Sequence, residues 1–259
     1  MVVKTLLVAF CLALASCGRP LNQKPDFIIA AAADLRFAMD EIIEQFQREQ
    51  PSVTVKATYG SSGQFYSQIE NGAPFDVYCS ADIAYPRKLV ESGFALRGSE
   101  FRYAVGRIVA WVRADSPIPV ESLQQDSLRH PSVLHIAIAH PDHAPYGKAA
   151  VSAMHTLGVY EDVKSKLAYG ENVSQALMYV QQGSAQIGIV ALSLALAPTV
   201  QKSGRYWEFP LDSYPRMEQG GVILKSSRNP KVAQAFRSFM LSDHAGAVLK
   251  RYGFSLPGT

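Results

Sequence analysis

From residue 27 onward, short apolar runs alternate with segments whose apolar side chains recur at helical spacing, which restricts the chain to an architecture of βα units. Residues 27–33 read as a strand, after which Leu35, Met39, Ile42, Ile43 and Phe46 form one helical stripe. The next unit joins a strand over 53–59 to a helix carrying Phe65, Tyr66 and Ile69 and stopped at Asn71-Gly72. A third strand covers 75–80, and Leu89 and Val90 lie on a helix ended by Gly93. A long apolar run, 105–112, leads into a second series. It holds a strand over 133–139, a helix over 146–157, a helix capped by Asn172 and a strand over 187–191. The Pro-, Asp- and Ser-rich stretch 210–216 precedes a strand over 221–224 and two amphipathic helices reaching residue 254.

With 48% hydrophobic and 18% charged side chains among 259 residues, the chain can bury a core, which excludes disordered and disulfide-dense classes. The length suits two domains of roughly 100–150 residues or one large one. The formal charge of +3 is spread without a long basic run and argues against nucleic acid as a partner.

The chain begins with Lys4, an apolar run over 6–15 and the sequence Leu14-Ala15-Ser16-Cys17. This resembles a lipoprotein signal, from which residues 1–16 are expected to be removed and Cys17 to be lipidated as the first mature residue. The alternative is an ordinary secretory signal with a chance cysteine. Residues 17–25 form a polar tether, so the mature chain is expected outside the cytoplasm, at the periplasm or cell surface, anchored to the membrane by Cys17. Cys11 leaves with the signal, and Cys79, in an apolar stretch, is expected to be a buried strand residue. The run 187–200 is interrupted by Ser193 and Pro198 and is too short to span a bilayer.

Several strand-to-helix junctions have the same local design, an apolar strand followed by small or polar residues and an immediate helix start. They are Ala33-Asp34, Gly60-Ser61-Ser62-Gly63, Pro145-Tyr146-Gly147 and Glu171-Asn172-Val173. Unpaired N–H groups and the macrodipole make each a candidate anion site, although plain helix capping explains any one of them taken singly. Gly60-Ser61-Ser62-Gly63 lacks the Gly-x-Ser-x-Gly spacing of a nucleophile elbow, so no serine nucleophile is expected. His140, Asp142 and His143 lie in a Pro-punctuated loop with no further Cys or His at ligand spacing, and no metal is expected there.

Four early stretches, Ala31-Ala32-Ala33-Asp34-Leu35, Tyr59-Gly60-Ser61-Ser62-Gly63, the run from Gln68 to Val77 and Ser80-Ala81-Asp82, resemble the periplasmic molybdate-binding proteins of molybdate ABC transporters. Later stretches follow in the same order: Pro145-Tyr146-Gly147, Glu171-Asn172-Val173, Gly188-Ile189-Val190-Ala191 and Arg251-Tyr252-Gly253-Phe254. The resemblance, which runs from about residue 27 to 254, implies an α/β two-lobe periplasmic binding protein of type II with two crossover strands and an interlobe cleft. Lobe 1 would be 26–103 plus 216–259, and lobe 2 would be 104–215. It further implies a tetrahedral oxyanion ligand, molybdate or tungstate, delivered to an ABC permease for uptake, with no cofactor, no resident metal and no catalysis. A monomer is expected.

Carried over residue by residue, the ligand positions implied are Ala33, Asp34, Ser62, Tyr146 and Val173, the last through its backbone. Two positions depart from the family. Ala191 stands where some relatives have a Tyr donor, a role open to Tyr146. Asp34 stands where Ser or Asn is more usual, and a carboxylate beside a dianion is costly at low dielectric. Asp34 is therefore expected to cap the helix starting at Leu35, bonding the N–H of Arg36 or Phe37, while backbone N–H groups meet the anion. Other readings are a receptor for sulfate or phosphate, with Asp34 accepting a ligand proton, and a sensory binding module.

Overall fold

A computed structural model describes residues 26–258. The signal 1–16, Cys17 and the tether to residue 25 lie outside the described residues.

The chain first builds β1 (Asp26–Ala32), a 3-10 turn over Ala33–Leu35, α1 (Arg36–Glu49), β2 (Thr54–Gly60), α2 (Ser62–Glu70), β3 (Val77–Ser80), α3 (Ala84–Glu91) and β4 (Phe101–Gly106). The second series is β5 (Ile108–Arg113), α4 (Val120–Leu123), β6 (Ile136–Ala139), α5 (Pro145–Thr156), α6 (Tyr160–Val163), β7 (Leu167–Gly170), α7 (Val173–Gln181) and β8 (Ile187–Ala191). It continues with α8 (Leu192–Ala195), α9 (Pro198–Gln201) and β9 (Gly204–Glu208), and the chain then adds β10 (Met217–Ile223), α10 (Pro230–Met240) and α11 (Asp243–Arg251).

Two sheets result, in the orders β2-β1-β3-β10-β4 and β7-β6-β8-β5-β9. Each has a parallel trio, with β1 between β2 and β3 and β6 between β7 and β8, completed by antiparallel strands. β1 and β6 are buried on both faces, which explains their unbroken Ala and Ile content. The apolar run 105–112 is therefore two strands in two lobes, joined through Arg107. The expected boundary after Tyr103 falls inside β4, which pairs with β10 as far as Gly106. The return from β9 to β10 passes through residues 209–216.

α1 buries Met39, Ile42 and Phe46 along its expected stripe, and Phe46 meets the ring of Phe236 edge-on at 5.3 Å, which ties α10 to the first lobe. Cys79 is fully buried in β3, and burial pushes its thiol well above the usual range. No helix among the described residues is long and apolar enough to cross a membrane.

Candidate ligand-binding site

Parallel strands deliver the starts of their following helices to one edge of a sheet, and here the two such edges face each other. All five expected positions, Ala33, Asp34, Ser62, Tyr146 and Val173, line one small cavity together with Ser61, Ala81 and Asn172. No Lys, Arg or His is among its lining residues.

Local sequence decides which helix-start N–H groups stay free for a ligand. In α7 the Asn172 carboxamide oxygen accepts from the N–H of Ser174 and Gln175, and its carbonyl accepts from Ala176, so Val173 keeps an unclaimed N–H. In α5 the first residue is Pro145, which has no N–H, and the Ala144 carbonyl accepts from Gly147 and Lys148, leaving that of Tyr146. In α2 the N–H of Gly63 goes to the His143 carbonyl at 2.9 Å, leaving that of Ser62. Ser62 Oγ accepts from the Ala81 N–H at 3.0 Å, and its own proton has no acceptor among the described residues. The Tyr78 hydroxyl donates to the Ser62 carbonyl at 2.7 Å and fixes the turn.

The lobes meet over this cavity. Ser61 Oγ donates to the His143 carbonyl at 2.5 Å, Gln64 Nε2 donates to Glu171 Oε2 at 2.5 Å, and Ser174 Oγ donates to the Ala33 carbonyl at 2.9 Å. Ser193 Oγ donates to the Asp34 carbonyl at 2.7 Å. Gly63 permits the approach, since a Cβ there would lie 2.6 Å from the His143 carbonyl oxygen. His143 thus serves the contact between lobes, with Nδ1 3.1 Å from Ser61 Oγ and its ring stacked on His140.

Asp34 does not cap the next helix. The N–H of Arg36 bonds the Ala33 carbonyl, and no side chain caps this helix start. The carboxylate instead accepts at Oδ2 from the Tyr146 hydroxyl at 2.9 Å and from Gln219 Nε2 at 2.5 Å. Burial raises its pKa to about 6, against the pull of those two bonds and of the nearby N–H groups of Asp34 and Leu35. Burial likewise pushes the Tyr146 hydroxyl well above its ordinary value. Ala191 is buried at the end of β8.

Gln219 is a site residue the sequence reading misses, because the strand expected at 221–224 begins at Met217. No sequence pattern marks it, since Glu218 precedes it in β10, and only its full burial sets it apart. Gly106 is a second: a Cβ there would lie 2.5 Å from the Tyr146 hydroxyl oxygen and 2.8 Å from Gln219 Nε2.

The model of the bacterial extracellular solute-binding protein family matches residues 27–255. The chain belongs to that family. This solute-binding protein is 38% identical over 229 residues to the molybdate-binding protein ModA of Rhodobacter capsulatus, with 88% of each chain covered. It is 37% identical over 251 residues to ModA of Azotobacter vinelandii, with 97% of each covered. The solved periplasmic molybdate-binding protein of Azotobacter vinelandii superposes with a TM-score of 0.83 at 33% identity, covering 89% of this chain and 99% of that one. The fold is thus the two-lobe type II fold of periplasmic binding proteins, and the solute-binding protein is an extracytoplasmic receptor rather than an enzyme.

Proposed function

We propose that this solute-binding protein closes on a tetrahedral oxyanion, molybdate or tungstate, and delivers it to an ABC permease as a monomer held to the membrane by lipid on Cys17. The observation that carries the reading is the convergence of free N–H groups at Ser62, Tyr146 and Val173, with the Ser62 hydroxyl, on one cavity without a cation. Neutral donors suit a fully deprotonated tetrahedral ion and discriminate by size and protonation state. The relatives named molybdate-binding support the choice of ion.

The test is a thermal-shift panel on ligand-free mature protein, since a ligand that binds only the folded state raises its melting temperature. Molybdate and tungstate are expected to stabilise strongly, and sulfate and phosphate weakly or not at all. A larger shift from sulfate or phosphate at equal concentration overturns the assignment. Phosphate is the second reading that an observation favours, because Asp34 Oδ1 is a buried acceptor without a donor.

A further inference from the structure

Asp34 is the one carboxyl group lining the cavity, and it is 1% exposed. Both groups that reach its Oδ2 are donors: the Tyr146 hydroxyl from α5 and Gln219 Nε2 from β10. Among the described residues, Oδ1 receives no hydrogen bond, and neither does the buried Oε1 of Gln219. A buried cluster with two acceptors lacking donors is short of hydrogen, and leaving such atoms unmatched is costly. A proton on Asp34 would have to sit on Oδ1, since Oδ2 is already occupied by two donors. It would turn an unmatched acceptor into a donor of the same neutral kind as Ser62.

The groups packed around Asp34 supply no positive charge. Tyr146 from α5 and Tyr103 from β4 are held neutral by burial, while Gln219 and Ser193 carry no charge. Further out stand Tyr214, which faces Tyr146, Arg107 between the lobes, Arg36 on α1, and His143 and Glu171, whose Nε2 and Oε2 lie 3.8 Å apart beside Ser61 and Gln64 where the lobes meet.

We propose that Asp34 takes up one proton from solvent as the oxyanion binds, so that its Oδ1–H becomes a further neutral donor and each anion is captured together with a proton. The proposal rests on the reading of the site as one for a fully deprotonated dianion. A dianion beside Oδ1 disfavours the ionised carboxylate, and by linkage its affinity falls as the proton becomes scarcer. Burial, against the pull of its hydrogen bonds, sets the carboxyl near 6 before the anion arrives. Above that pH the protein without anion is ionised and must gain a proton to bind, whereas below it no proton is needed.

Titration calorimetry of dilute molybdate into the mature protein from pH 6 to 8.5, in two buffers of unlike ionisation enthalpy, reads both the proton count and the affinity. Close to one proton taken up per anion at pH 8 is expected, with affinity falling about tenfold per pH unit above pH 6.5. Asp34→Asn should bind more tightly at pH 8 and lose the slope, and His143→Gln should keep it. Molybdate binding by the parent with no proton uptake and a flat profile overturns the proposal, even if the Asn variant does not fold. An equal slope in parent and Asp34→Asn overturns it too. Absence of molybdate binding at every pH is a separate result, which overturns the oxyanion assignment and the proposal with it.

Discussion

The Tyr146 hydroxyl, carried by the second lobe, donates to Asp34 Oδ2 of the first lobe at 2.9 Å, and Gln219 Nε2 touches both oxygens, at 2.5 Å from Asp34 and 3.2 Å from Tyr146. One bond therefore links ligand chemistry to the relative position of the lobes. Deleting the hydroxyl in Tyr146→Phe removes this bond between the lobes and should weaken anion binding by about 1 kcal/mol at pH 5.5, where the Asp34 proton is already in place. It should also raise the pKa of Asp34 further, because a bond that pulls it down is gone. Calorimetry at fixed pH checks the first outcome, and the pH profile of binding checks the second.

Ser62→Ala should cost on two accounts. The anion loses a hydroxyl donor, worth about 1–3 kcal/mol of affinity, and the buried Ala81 N–H loses its acceptor, worth a similar amount of stability. Calorimetry and urea unfolding of the same preparation separate the two, and unchanged affinity would remove Ser62 from the site.

Gly63→Ala should act on closure. The added methyl would sit 2.6 Å from the His143 carbonyl oxygen across the cleft, so the lobes must stay further apart. Affinity is expected to fall by about 1–3 kcal/mol, the usual cost of overpacking, while the melting temperature without ligand changes much less. A variant that binds as tightly as the parent would show that Gly63 is not a closing contact.

Stability without ligand should also carry the Asp34 signature. Its folded-state pKa of about 6 lies above the ordinary carboxyl value of 3.8, so the native state holds more protons than the unfolded state in that window. Its favourable contribution is full below about pH 4 and is lost as pH rises through about 6, by about 3 kcal/mol in all. The difference in unfolding free energy between Asp34→Asn and the parent should grow over that range and then level off.

The α1 stripe and the Asn172 cap were legible because each depends on residues within a few turns of one another. β9 was not, because Gly204–Glu208 is a half-buried edge strand whose Arg and Glu break any apolar pattern. The split of the run 105–112 between two sheets was hidden too, since both halves are buried and only Arg107 separates them. Helix starts gave the region of the five cavity positions and family likeness gave the residues, but the orientation of Asp34 was misread. A cap is a local device, whereas its true partners, Tyr146 and Gln219, stand 112 and 185 residues away in the chain. Nothing within a turn of Asp34 announces them.

The passage from β4 to β5 through Arg107 places Gly106 against the Tyr146 hydroxyl and Gln219. If the lobes swing about that short link, displacement grows with distance from it. The contact of Gln64 with Glu171 and those of Ser61 and Gly63 with His143, on the far lever arm, then part first, and the Tyr146–Asp34 bond parts last. Unlatching of that kind proceeds like a zip, from the rim inward, and a probe on Gln64 or Glu171 reports the swing well before one near Asp34.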